Sequence, residues 1–118
     1  MYSAQLLDHF EHPRNGGDIE GSDAKAEVEN PICGDILRLS LKLREGRITE
    51  ARFKAKGCVP SMACGSALTE LISGKSVAEA RALRRDQVTE AVGGLPQAST
   101  HAAQLAIDTL AAALRNIR

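Results

Sequence analysis

Hydrophobic and polar residues alternate with period two in the first half of the chain and with helical spacing elsewhere. Ala24, Ala26 and Val28 alternate with Lys25, Glu27 and Glu29. Leu37, Leu39, Leu41 and Leu43 alternate with Arg38, Ser40, Lys42 and Arg44. Ala51, Phe53 and Ala55 alternate with Glu50, Arg52, Lys54 and Lys56. Successive side chains of a strand point to opposite faces, so each run predicts a strand with one dry and one wet side. Glu45-Gly46 separates the second and third runs and reads as a hairpin turn, which makes the sheet antiparallel.

Helices flank these strands. Tyr2, Leu6 and Phe10 recur every four residues with Leu7 beside them, which predicts a helix from Ser3 to Glu11 with Ser3 as its N-cap. Pro13 ends it, and Arg14-Asn15-Gly16-Gly17 forms a loop. After the strands, Pro60 suits a first helical turn, Cys64, Leu68, Leu71 and Ile72 mark a buried stripe, and Gly74 stops the helix. Ser76 and Glu79 make a capping box, and Asp86 caps a further helix that ends at Gly93-Gly94. The last helix starts near Ser99 or Thr100. It buries Ala103, Ala106, Ile107, Leu110, Ala113, Leu114 and Ile117 and turns Gln104, Asp108, Arg115 and Arg118 to water. Strands followed by helices predict an α+β fold: a three-stranded antiparallel sheet with helices packed on one face.

Composition narrows the function classes. A chain of 118 residues predicts a single domain spanning 1–118. Its aromatic residues are Tyr2, Phe10 and Phe53, so the core must be aliphatic. Fifteen basic and fifteen acidic residues give zero formal charge, which offers no electrostatic basis for binding nucleic acid or an anionic membrane. No run approaches the ~20 apolar residues of a membrane span, and Met1 to His12 lacks the layout of a signal peptide. The expected location is cytoplasmic. Cys33, Cys58 and Cys64 form an odd set, which argues against a disulfide framework and for metal ligation, reactivity or packing.

Three segments interrupt the regular patterning and hold most of the reactive side chains: Asn30-Pro31-Ile32-Cys33-Gly34-Asp35, Gly57-Cys58-Val59-Pro60 and Leu95 to His101. Each lies at the end of an element, where one end of a domain can gather them. Cys58 precedes a helix whose first turn carries unpaired N–H groups and partial positive charge, a setting that lowers a thiol pKa. Gly57 frees the backbone there for close approach. Cys33 and Asp35 can reach one centre if Gly34 turns the chain, although the same segment also reads as a simple Asx-type turn. Together Cys33, Asp35, Cys58 and His101 are the ligand types of a tetrahedral thiolate–imidazole–carboxylate site. Cys64, on the apolar stripe, reads as packing, and His9 and His12 as surface residues.

At these segments the chain resembles the iron–sulfur cluster assembly scaffold family of the IscU/NifU N-terminal type. The matching stretches are Tyr2-Ser3, Asp8 through Asn15, Asn30 through Asp35, Gly57-Cys58, Leu68-Thr69-Glu70, Gly74-Lys75, Leu95-Pro96 and His101. The resemblance implies a protein that transiently binds iron and a [2Fe-2S] cluster, receives sulfur from a cysteine desulfurase, and passes the cluster to apo iron–sulfur proteins. It implies that Cys33, Cys58, Asp35 and His101 hold the cluster, and that zinc can occupy the same site. Two features depart from the family. Its third cysteine follows the histidine, where this chain has Ala102, and its Leu-Pro-Pro-Val-Lys chaperone motif reads Leu95-Pro96-Gln97-Ala98-Ser99. Persulfide chemistry at that position and docking of an Hsp70-type chaperone are therefore not implied here. Beside the non-enzymatic scaffold reading stand a zinc-binding relative that no longer builds clusters, and an enzyme with Cys58 as nucleophile, His101 as base and Asp35 as orienter.

Overall fold

The structure, a computed structural model, describes residues 2–117. Helix α1 (Ala4–Glu11) precedes strands β1 (Ala24–Glu29), β2 (Ile36–Arg44) and β3 (Arg47–Lys56). Helices α2 (Val59–Ile72), α3 (Val77–Arg81), α4 (Arg85–Ala91) and α5 (His101–Arg115) follow, with a 3₁₀ turn at Gln97–Ser99 leading into the last. The sheet order is β1-β2-β3 and both pairings are antiparallel. This is the expected α+β arrangement.

The alternation read in the sequence sets the register. Val28 pairs with Leu37, Leu39 with Phe53 and Leu41 with Ala51, and Leu37, Leu39 and Leu41 are fully buried. Glu45 and Gly46 have φ of 53° and 76°, as a tight hairpin turn of the right twist requires. The register shifts between Lys42 and Leu43, so Leu43 ends up only half-buried. The other face of the sheet is less open than the sequence suggests. Gly17 N–H donates to Phe53 O beside β3, and Asp18 then accepts two bonds from Arg38 on β2 at 2.8 and 2.7 Å. Ser40, on that face, is buried.

Helix α2 lies at the centre. Its sequence predicts a single stripe, yet Ala63, Cys64, Gly65, Ser66, Ala67, Leu68, Thr69 and Ile72 are all buried, while Leu71 is half-buried. Small residues make this burial feasible, because α1, the sheet and α5 all approach it closely. A Cβ on Gly65 would lie 2.7 Å from Phe53 Cδ2 and 3.0 Å from Leu37 Cδ1. Cys64 is sealed in this packing, and burial pushes its thiol up to about 12.

Helix α1 departs from its sequence reading. Ser3 caps it, accepting from Leu6 N–H at 2.9 Å, and the Ser3 hydroxyl donates to Val92 O at the end of α4. Leu6 is buried as expected, but Leu7 is 39% exposed. His9, expected at the surface, is buried instead, while His12 is exposed. The reason is a partner far away in sequence. Ser66 Oγ on α2 accepts from Arg14 N–H at 2.8 Å, which leaves its hydroxyl hydrogen for His9 Nδ1, also 2.8 Å away. On that arrangement the ring proton is on Nε2, and Nε2 lies 3.6 Å from the Glu70 carboxylate.

Two helix starts also differ in detail. Arg84, not Asp86, is the N-cap of α4; Gln87 Oε1 accepts from its N–H at 2.8 Å, and Asp86 lies in the first turn, where the helix dipole favours a carboxylate. Helix α5 starts at His101 with Thr100 as N-cap. It buries Ala102, Leu105 and Thr109 besides the expected Ala103, Ala106, Leu110, Ala113 and Leu114, whereas Ile107 is half-buried and Ile117 exposed. Arg118, expected to face water, lies outside the described residues.

Two outcomes test this packing. Gly65→Ala gains helix propensity, but its methyl meets the Phe53 ring, so it should destabilise the fold by about 1–3 kcal/mol in denaturant unfolding. A stability gain would contradict the close approach of α2 to the sheet. Burial, aided by the charge of Arg14, holds His9 below the ordinary histidine value of 6.5. The unfolded chain therefore takes up this proton at higher pH than the folded one. Stability should be complete above about pH 6.5 and fall as pH drops through that value, and His9→Gln should flatten the fall. A pH dependence unchanged by His9→Gln would show that His9 does not govern it.

Candidate metal centre

The three irregular segments meet at one end of the sheet. The first is folded on itself: Asn30 Oδ1 accepts from Ile32 N–H at 2.9 Å, Asn30 O accepts from Gly34 N–H at 2.8 Å, and Asn30 N–H donates to Asp35 O at 2.7 Å. Gly34, at φ 77°, makes the turn that the sequence reading required of it. Cys33 is left exposed at the tip, next to an Ile32 that is 95% exposed, while Asp35 is buried at the start of β2. The second segment brings Cys58 to the N-cap of α2, and the third brings His101 to the first residue of α5.

Gly57 fits these segments together. Its φ is +145°, and a Cβ built there would lie 2.2 Å from Asp35 Oδ1. The carboxylate occupies the space that a side chain at Gly57 would fill. From there Oδ1 accepts from Cys58 N–H at 3.2 Å, and Oδ2 accepts from Ser61 Oγ–H at 2.7 Å and from Cys58 Sγ–H at 2.9 Å. His101 Nε2 stands 3.7 Å from Asp35 Oδ2 and 3.9 Å from Cys58 Sγ. Cys33, Asp35 and His101 each place one ligand atom within 4.8 Å of the others. Asp35 and His101 belong to both groupings, so they link Cys33 to Cys58, which is not itself in the set of mutually close ligand atoms.

The electrostatics correct one expectation. The helix start was expected to lower the Cys58 pKa, but the thiol is pushed up. Burial is the largest cause, and the hydrogen bond to the Asp35 carboxylate adds to it. Ser61 Oγ, 3.3 Å from Sγ, acts in the opposite direction and does not prevail. For Asp35, burial works to raise the pKa, but the hydrogen bonds from Cys58 and Ser61 outweigh it and hold the carboxyl below its usual value. Asp35 is thus the charged partner and Cys58 the protonated one. A thiolate beside that carboxylate calls for a cation, so loss of the Cys58 proton couples to metal entry.

Ser61 was missed in the sequence reading. It is buried, and it binds both Asp35 and Cys58. The available signal was its spacing: Ser61 lies three residues after the N-cap Cys58, the interval of a capping box. Ala102, the residue after His101, is buried, and Cys64 lies sealed in the core rather than among the four. Two sulfurs, an imidazole and a carboxylate suit iron or zinc better than hard, all-oxygen cations. Among the described residues no helix is long and apolar enough to cross a membrane.

Comparisons with known proteins identify the family. The family model described as the NifU-like N terminal domain matches residues 1–118. The iron-sulfur cluster assembly scaffold protein IscU 1 of Archaeoglobus fulgidus is 42% identical over 114 residues, covering 97% of this chain and 74% of that protein. The iron-sulfur cluster assembly scaffold protein IscU of Escherichia coli K12 is 37% identical over 121 residues, covering 99% and 94%. The crystal structure of a nitrogen-fixing NifU-like protein (N-terminal) from Brucella abortus shares the fold, with a TM-score of 0.77 and 23% identity over 96% of this chain and 91% of that one. With its fold, its match along the full sequence and these relatives, the chain belongs to the NifU-like N terminal domain family.

Proposed function

We propose that this chain is an iron–sulfur cluster assembly scaffold, on which iron and sulfide are joined into a [2Fe-2S] cluster that is then passed to apo-proteins. The observation that carries this reading is the gathering of Cys33, Cys58 and His101 around Asp35 in a chain whose relatives are named as such scaffolds. The cluster is cargo here, not a resident cofactor, and the site suits cargo. Cys33 is exposed, so the cluster would be held at the rim, where another protein can reach it. Thiolates supply the strong bonds, while an oxygen donor is a poorer match for iron in a sulfide-rich centre and is more readily displaced. The chain acts by binding and release, without turnover of its own.

Each residue has a task in this scheme. Cys33 and Cys58 supply thiolates, and His101 an imidazole. Asp35 orders Cys58 and Ser61 before metal arrives and balances positive charge once it has. The relatives' names point to iron–sulfur assembly, so zinc is not needed to account for the donor set. The sulfur source that fits is a cysteine desulfurase, which would deliver persulfide sulfur at the exposed Cys33 side, with a two-electron donor bringing it to sulfide. Free thiols in all three cysteines suit a reducing compartment such as the cytoplasm.

Anaerobic reconstitution with iron and sulfide tests the reading. The wild-type chain should develop the visible absorption of a [2Fe-2S] centre. Cys58→Ala should lose it, and Cys64→Ser, altering only the buried core thiol, should retain it. Equal loss in both variants would overturn the ligand assignment, and a colourless wild type would overturn the scaffold reading.

A further inference from the structure

We infer that Ser61 sets how readily the site lets its cargo go, because its hydroxyl competes with metal for the one Asp35 oxygen that faces the other donors. Release of a cluster presupposes the scaffold reading; the competition at Asp35 holds for any metal in the site.

The two oxygens of Asp35 differ in what surrounds them. Oδ1 is turned to the backbone: it occupies the space that a side chain at Gly57 would fill, and it accepts from Cys58 N–H at 3.2 Å. Oδ2 is turned to the ligands, 2.9 Å from Cys58 Sγ and 3.7 Å from His101 Nε2. A metal held by Cys58 and His101 would therefore be met by Oδ2. Ser61 Oγ–H donates to that same oxygen at 2.7 Å. Ser61 is 1% exposed and Asp35 5%, so water has little access to take over the bond. Ser61 Oγ is also 3.3 Å from Cys58 Sγ, but its single hydrogen goes to Asp35, the nearer partner. The hydroxyl is fixed in place by α2, which is packed along its length.

Which oxygen receives the hydrogen bond decides its effect. A donor on the oxygen away from the metal orients a carboxylate and supports binding. A donor on the ligating oxygen occupies one of its lone pairs and draws charge from the metal bond. Without metal, Oδ2 accepts from Ser61 and from Cys58, which uses both of its lone-pair sites. As Cys58 sulfur binds metal, its hydrogen passes to solvent and one of those sites opens. Ser61 keeps the other. Asp35 is thereby a ligand of reduced strength, and a donor already stands beside it when the metal leaves. A serine that only braced Asp35 would act with the opposite sign, since its loss would loosen the carboxylate and weaken binding.

The sign is measured with Co²⁺ as the probe, titrated without oxygen into metal-free protein and followed by its visible absorption. Folded Ser61→Ala should bind Co²⁺ about three- to tenfold more tightly than the wild type. In an Asp35→Ala background the same change should alter affinity by less than about twofold, because Ser61 acts through Asp35. Affinity that is unchanged or weaker in Ser61→Ala, an equal gain without Asp35, or a wild type that takes up no Co²⁺ would overturn the competition. Protein reconstituted with iron and sulfide then tests release: transfer of the visible absorption to an apo-ferredoxin should be several-fold slower from Ser61→Ala. An unchanged or faster transfer would overturn the control of release and leave the scaffold reading in place. A wild type that forms no cluster would remove the scaffold reading and the control of release together, and the Co²⁺ titrations would still decide the competition.

Discussion

The Asp35 carboxylate, seated in the space that Gly57 leaves empty, is the contact on which the rest of the site depends. A buried charge is costly unless its hydrogen-bonding capacity is met. Here Cys58 N–H, Ser61 Oγ–H and Cys58 Sγ–H all point at it. Those bonds join the start of β2 to the start of α2, and His101 completes the approach from α5. One carboxylate thereby sets the separation of donors that lie far apart in sequence. It also decides which group is charged before metal arrives: Asp35 is ionised and Cys58 keeps its proton. Metal entry reverses that condition for Cys58, which ties binding to proton release.

The support behind the site is close packing of small residues. Helix α2 can sit between α1, the sheet and α5 because Ala63, Gly65, Ser66 and Ala67 keep its surface low. Gly65 lets it rest on Phe53 and Leu37, and Ser66 receives His9 and the Arg14 backbone. The helix that presents Cys58 and Ser61 is therefore fixed along its length and not only at its end. This rigidity gives the exposed Cys33 loop a firm base to work against, since ligands are placed most accurately when their supports are locked.

Much of the architecture was legible because it depends on local rules. Alternation placed Leu37, Leu39 and Leu41 in the core, and Glu45-Gly46 and Ser76 through Glu79 marked a turn and a cap by their chemistry alone. The candidate site residues stood out because Cys33, Asp35, Cys58 and His101 fall in segments that break the patterning. What stayed hidden depends on contacts between distant residues. His9 is buried where Ser66, 57 positions away, shares a hydrogen bond with it. Ser61 looked like one more helix residue until Asp35 was placed beside it. The direction of the Cys58 shift was misread for the same reason. The helix start is visible in sequence, whereas the burial and the neighbouring carboxylate that outweigh it are not.

The most direct test of Asp35 as organiser keeps all four donor residues in the chain and disturbs only the seat of its carboxylate. Iron affinity of Gly57→Ala, measured anaerobically beside its unfolding free energy, does this. The added methyl must displace the carboxylate, so affinity should fall about 10- to 100-fold, the range for losing an outer-shell support, while the protein remains folded. A folded Gly57→Ala protein that binds iron as tightly as the wild type would contradict the account.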